Sequence, residues 1–177
     1  SFYELATPVL KELGLTAAVF APTGCLGRPC GWSMPDGHPD RQQVVMDAAK
    51  LIELDKAGFE VFSHTASHPD LTAVSGAQLK DELAGSKAAL EEVLGHPVPG
   101  ISYPHGRHNQ NVLEQACQSG YLLGFTIDPR CVNESTDPLA VGRFVVSPAT
   151  PMARFRLKVC GAWAVETVFR KVKHRIQ

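Results

Sequence analysis

Residues 59–71 read FEVFSHTASHPDL. Phe59–Ser63 is a short run of the residue types that suit a buried strand, and it breaks at once into a polar segment carrying His64 and His68. On the upstream side, Val44–Ala57 has helical spacing and closes at Gly58. On the downstream side, Ser75–Gly95 is the clearest helix of the chain: Leu79, Leu83, Leu90 and Leu94 share a face, and Gly95 stops it. Ser75 and Gln78 form a capping-box pattern at its start. A strand flanked by two helices of this length is the mark of repeated βαβ units and a mainly parallel sheet.

The pattern continues outward. Thr16–Phe20, Gly100–Tyr103, Leu122–Ile127 and Val141–Val146 are further strand candidates. Asn109–Ser119 reads as a helix ended by Gly120, and residues 2–13 as a helix in which Thr7 and Pro8 serve as N-cap and first helical residue, with Gly14 at the end. Residues 21–43 form a long Gly- and Pro-rich loop that contains Trp32, and the chain is mostly helical again from about Phe155. Five strands alternating with helices predict an open doubly wound sheet or an incomplete (β/α) barrel. In both, sites lie at the carboxyl ends of the strands.

Composition narrows the function classes. The 177 residues suit one domain with a real core, 44% are hydrophobic and 20% charged, and the net charge is −1. This excludes a disordered chain and gives no sign of nucleic-acid binding. No apolar run approaches the length of a membrane span. Charge is uneven: Arg154, Arg156, Lys158, Arg170, Lys171, Lys173 and Arg175 face the single acid Glu166 in the last two dozen residues, read as a solvated basic helical tail. The five cysteines, Cys25, Cys30, Cys117, Cys131 and Cys160, contain no CxxC pair, and their odd number fits free thiols and a reducing, cytoplasmic compartment; Cys25 and Cys30 share a loop in which they could pair. The chain opens at Ser1 on a helix with no strand before it, so a first strand is expected to be lacking. A targeting segment ahead of it would make the protein periplasmic or secreted.

The strand ends carry the reactive groups. His64 and His68 stand four apart, so a helical turn would aim both at one point. Imidazole suits zinc and other first-row metals, but a metal site wants at least a third protein ligand; the competing reading is two surface histidines on a turn. After Gly100–Tyr103, Pro104 and Gly106 bracket His105 in a tight turn that either aims a backbone N–H at a ligand or simply reverses the chain. Asp128, before Pro129, is either a carboxylate supporting a ligand or a turn residue. Arg143, within an apolar run, calls for an acidic partner, structural or catalytic. Trp32 either stacks on a sugar ring or packs as a lid.

Taken together, residues 60–129, with His64-Thr65-x-x-His68-Pro69-x-Leu71 followed by Tyr103-Pro104-x-Gly106, resemble polysaccharide deacetylases of the NodB-homology type, carbohydrate esterase family four. The likeness runs in order from Ser1 to about Pro148 and is greatest to the branch found beside exopolysaccharide synthesis. It implies a distorted, incomplete (β/α) barrel over residues 1–150, with 151–177 as a C-terminal basic helical extension. It implies a divalent metal, zinc or another transition metal, with His64 and His68 as two of its three ligands. It implies that His105 lends its backbone N–H to an oxyanion hole, in a turn held by Pro104 and Gly106, and that Leu71 is the apolar residue following the metal motif.

The departures matter equally. The family's Phe-Asp-Asp-Gly motif, source of a metal-binding Asp and a general-base Asp, has no counterpart here, so the third ligand is expected from a segment ahead of Ser1. The Leu-x-His segment that carries the general acid is not recognisable either: Val141–Pro148 holds Arg143 and no His. His105 stands where the family has Tyr or Phe, and His105 and His108 are both candidates for the acid. Ser102 replaces the Arg that usually opens the third motif, and Arg143 is expected to pair with the base Asp in its stead. The resemblance therefore implies a metal-dependent hydrolase that removes N-acetyl groups from a polysaccharide or oligosaccharide, with little activity in these residues alone. The alternatives are a non-catalytic glycan-binding member of the fold, an O-acetyl esterase on polysaccharide, and a plain α/β domain with surface histidines.

Overall fold

The computed structural model describes residues 2–29, 31, 36 and 42–161. Cys30, Trp32 and most of the basic tail, including Arg170, Lys171, Lys173 and Arg175, lie outside the described residues. Four short strands, β1 (Ala18–Ala21), β2 (Glu60–Ser63), β3 (Gly100–Ser102) and β4 (Leu123–Phe125), form one parallel sheet in chain order. The register pairs Phe20 with Phe62, Ser63 with Ile101 and Ile101 with Gly124.

Side chains alternate along these strands. Val19, Ala21 and Val61 face the helices, where they pack with Leu51 and Leu54 of α2 (Ala48–Lys56) and Leu90 of α4 (Ser86–Leu94). Phe20, Phe62 and Phe125 meet on the other face, with ring centroids 5.9, 5.3 and 6.2 Å apart. A second core joins Leu79 and Leu83 to Ile101, Tyr103, Val112, Ala116 and Tyr121. Leu79, Leu83 and Leu90 are fully enclosed, so truncating any one to Ala removes about 2–5 kcal/mol of stability. The sheet is open, and the architecture is an incomplete (β/α) barrel.

Local signals explain where elements begin. Asp47 accepts a hydrogen bond from Lys50 N at 2.9 Å, so α2 starts at Ala48 rather than at Val44. Val44 instead bridges Pro29. The predicted Ser75–Gly95 helix is one run made of α3 (Gly76–Lys80), a π turn (Asp81–Gly85) and α4, ending at Gly95 as expected. Its capping box does not form: Ser75 makes no side-chain cap bond. Asn109 does cap α5 (Gln110–Gln118), accepting from Val112 N at 3.0 Å. Thr7 is not an N-cap, because a π turn (Phe2–Ala6) already precedes α1 (Thr7–Glu12) and the buried Thr7 hydroxyl donates to Phe2 O.

The fifth predicted strand fails. Val141 makes a single parallel bridge to Phe125, after which Arg143 N turns away to Asp128 O at 2.9 Å and Val145 and Val146 are exposed. An apolar run with nothing to cover its outer face has no reason to extend the ladder. Beyond it, α6 (Met152–Val159) carries Arg154, Arg156 and Lys158 and buries none of its residues. Among the described residues no helix is long and apolar enough to cross a membrane.

Candidate active site

The carboxyl end of β2 continues from Ser63 into a loop that the backbone alone does not satisfy. Side-chain oxygens do so instead. Ser63 Oγ accepts Thr65 N at 3.1 Å, Glu82 Oε2 accepts Ala66 N and Ser67 N at 2.9 Å each, and Thr65 Oγ1 accepts His68 N at 3.0 Å. Every amide from Thr65 to His68 thus finds a side-chain acceptor, as buried N–H groups require. The loop's carbonyls face the β1 side, where Thr23 N and Gly24 N donate to Thr65 O and Ala66 O. Gly24 is obligatory there, since a Cβ would stand 2.7 Å from Ala66 O.

This scaffold holds Thr65 at φ +66° and His68 at φ +61°. Left-handed backbone in a non-glycine residue costs on the order of 1–3 kcal/mol and concentrates at functional sites. The two histidines therefore do not converge through the helical turn expected from their spacing; two left-handed residues bring them together, with ring centroids 4.7 Å apart.

His64 Nδ1 lies 2.7 Å from Ser102 O. A carbonyl can only accept, so Nδ1 carries the proton and Nε2 presents its lone pair. Burial lowers the pKa of His64, and burial reinforced by the neighbouring His64 and His105 lowers that of His68 to about 4. Both rings are neutral at pH 7, the state that ligates metals.

The end of β3 supplies a second turn, Pro104–Gly106, with His105 at φ +57° and its ring 4.9 Å from that of His68. Gly106, at φ +68°, has Ile127 so close that a Cβ would lie 2.4 Å from Ile127 Cγ1 and 2.8 Å from Ile127 N. Gly106 N and Arg107 N close the turn on Tyr103 O and Pro104 O, whereas the N–H of His105 meets no acceptor among the described residues. Arg107 also ties this turn to the first, through a bond to Asp70 Oδ2 at 2.5 Å.

Arg143 joins the ends of β3 and β4. Its Nε donates to Thr126 O at 2.8 Å and an Nη donates to Ser102 Oγ at 2.6 Å, and its guanidinium sits 5.0 Å from the Phe20 ring and 5.9 Å from the Phe125 ring. The acidic partner expected of it does not appear: among the described residues no carboxylate reaches it. An open pocket of about 490 Å³ is bordered by Phe20, His64, Ser102, Tyr103, His105 and Arg143.

His64, His68, Pro104, His105, Gly106 and Arg143 therefore converge on one sheet end. His108 does not join the row of imidazoles; it stacks on Tyr103 at 5.7 Å and bonds Gly106 O. Asp128 is a turn residue whose carbonyl accepts Arg130 N and Arg143 N. Cys25, Cys117, Cys131 and Cys160 are free thiols. The residues that hold the loop carry no site role in the sequence reading: Ser63, Thr65 and above all Glu82, which is buried. Its signal was a charged residue beside Leu83 on the apolar side of a helix.

Two imidazoles with lone pairs available fit two ligands of a metal site. A third is missing, since among the described residues no group of three His, Cys, Asp or Glu stands where it could hold a metal ion.

An open parallel barrel with paired imidazoles and a Pro-x-Gly turn at its strand ends defines the class of NodB-type deacetylases. The chain belongs to the polysaccharide deacetylase family, whose sequence profile matches residues 1–124. It is 29% identical over 153 residues to YxkH of Bacillus subtilis, a protein named as a candidate polysaccharide deacetylase, covering 86% of this chain and 50% of that protein. The chain thus spans half the length of that relative. It is also 31% identical over 75 residues to a chitooligosaccharide deacetylase of a Bradyrhizobium species, covering 41% of this chain and 34% of that one. Among solved structures, the Streptococcus pyogenes deacetylase PplD, determined in complex with acetate, superposes with a TM-score of 0.75 at 25% identity, over 89% of this chain and 64% of that one. IcaB of Ammonifex degensii superposes with a TM-score of 0.69 at 27% identity, over 84% and 64% respectively.

Proposed function

We propose that the protein hydrolyses the acetamide of an N-acetylated polysaccharide or oligosaccharide, with a divalent metal, zinc or another transition metal, held by His64 and His68. The observation that carries this reading is the convergence of the two neutral imidazoles at a strand end, brought about by left-handed backbone at Thr65 and His68. The relative named for chitooligosaccharide deacetylation supports an amide of an amino sugar as the bond cut. When bound, such an ion polarises an acyl oxygen and lowers the pKa of water.

The chain's own residues do the rest. His64 donates Nδ1–H to Ser102 O, which fixes its tautomer and ring direction. The His105 N–H is the donor for an acyl oxygen that gains negative charge, a role worth about 3–4 kcal/mol in comparable sites. Pro104 and Gly106 hold that donor rigid. Arg143, half-buried against two aromatic rings, would steady a carboxylate that takes the proton from water. That carboxylate and the third ligand must come from outside the described residues.

The test is acetate release from an N-acetylated glycan by the zinc-loaded full-length protein. His64→Ala should abolish it, and full activity in that variant overturns the assignment. Zinc titration of the 177-residue chain itself should give only weak binding, because the two imidazoles make an incomplete site among the described residues. Sub-micromolar affinity at His64 and His68 (a threshold of about 8 kcal/mol of binding free energy) would show that they need no carboxylate.

A further inference from the structure

Glu82 is a buried carboxylate in the π turn between α3 and α4. It accepts hydrogen bonds from Ala66 N and Ser67 N at 2.9 Å each and from the Ser67 hydroxyl at 2.5 Å. Among the described residues no cation pairs with it, so its charge is met by these donors. All three belong to the residues that separate His64 from His68. Buried carboxylate oxygens answered wholly by one short segment fix that segment's position, because any drift leaves the acceptors and the amides without partners. The helix behind it is equally fixed: Ser86 Oγ donates to Glu82 O at 2.6 Å and shares a hydrogen bond with Ser63 Oγ at 2.9 Å, and Tyr121 OH donates to Leu83 O at 3.0 Å. π turns are frequent at functional sites, and here the turn carries the carboxylate that reaches the loop.

We propose that Glu82 is the positioning residue of this site: its carboxylate holds the Ala66 and Ser67 amides and so sets the separation and mutual orientation of the two imidazoles. The inference rests on the reading of His64 and His68 as metal ligands. It makes the acceptor geometry of Glu82 the operative property and leaves its charge secondary. A glutamine keeps that geometry, with Oε1 accepting both amides and Nε2 donating to Ser67 Oγ. An aspartate keeps the charge but is one methylene too short to reach them.

The experiment is cobalt(II) titration of the full-length protein alongside amide hydrogen exchange of residues 64–68, for Glu82→Gln, Glu82→Asp, Glu82→Ala and His64→Ala. Glu82→Gln is expected to keep native protection and affinity. Glu82→Asp and Glu82→Ala should lose protection at Ala66 and Ser67 and weaken cobalt(II) by about 10- to 100-fold, the usual cost of losing a group that orients a ligand. Should Glu82→Ala not fold, the Gln and Asp pair carries the same contrast. Native protection and affinity in Glu82→Asp, or loss of both in Glu82→Gln, overturns the proposal. If the exchange pattern follows expectation while His64→Ala binds cobalt(II) as tightly as the parent, Glu82 still positions the loop and the metal reading is the one that fails.

Discussion

At the end of β2 the chain holds two left-handed residues, Thr65 and His68, in a loop whose amides from Thr65 to His68 are all taken by side chains: Ser63, Thr65 and Glu82. At the end of β3 it holds two more, His105 and Gly106, in a turn that follows Pro104 and is closed by its own backbone. The first loop spends its backbone N–H groups on the scaffold and presents two imidazoles. The second leaves the His105 N–H without an acceptor among the described residues and presents that N–H. One strand end therefore offers side chains and the other offers backbone. Each is built so that what it offers is the part its scaffold does not consume.

The largest effect tests that contrast directly. In the full-length protein His64→Ala removes the group the first loop exists to present, and acetate release should fall by about 100-fold or more, the loss of several kcal/mol of charge stabilisation. His105→Phe removes an imidazole but leaves the N–H, so turnover should stay within about tenfold of the parent, less than 1.4 kcal/mol. If the two variants lose activity equally, the imidazole of His105 takes part in the chemistry and the division between the two ends is wrong.

A smaller effect comes from the second turn's rigidity. Gly106→Ala puts a Cβ 2.4 Å from Ile127 Cγ1 and 2.8 Å from Ile127 N, in left-handed backbone at φ +68°. The conformation costs about 1–3 kcal/mol and the overpacking a similar amount. At about 2–4 °C per kcal/mol for a chain of this size, thermal unfolding should shift down by roughly 5–15 °C. A melting temperature unchanged by Gly106→Ala would mean that the turn yields freely and does not hold the N–H in place.

The same contrast explains what the sequence disclosed. Strand ends, the Pro-x-Gly turn and the two histidines are local signals, and four strands and the convergence of His64, His68, His105 and Arg143 follow from them. Val141–Val146 has a strand's composition, and only the tertiary turn of Arg143 toward Asp128 removes its partner. At Ser75 the residues of a capping box stand at the right spacing, yet the cap bond is not made. Glu82 went unseen because its role is long-range. Its partners lie 15 and 16 residues back, and nothing in a helix's own periodicity says which loop a buried carboxylate will answer. Arg143 was picked out for its chemistry, but the partners it uses, Thr126 O, Ser102 Oγ and two phenylalanine rings, come from three strands and belong to the fold rather than to the motif.

The smallest effect concerns the Asp70–Arg107 bridge between the two ends. Asp70, two residues past His68, is held by the Thr72 hydroxyl and amide and by Arg107 of the second turn, and its pKa falls from 3.8 to about 2. A carboxyl whose folded pKa lies below its unfolded value binds more protons when unfolded, so its contribution is fully present above about pH 4 and is lost as pH falls toward 2. The pair is solvent-exposed, so the contribution is small and screened by salt. Asp70→Asn should therefore lower the denaturation midpoint slightly at pH 7 in low salt, and the gap from the parent should shrink both in high salt and on acidification through that window. A gap that persists unchanged at low pH would show that the amide fails through lost geometry at Thr72 rather than lost charge toward Arg107. The two strand ends would then be tied by packing around Gly106 and the imidazole row, and not by this bridge.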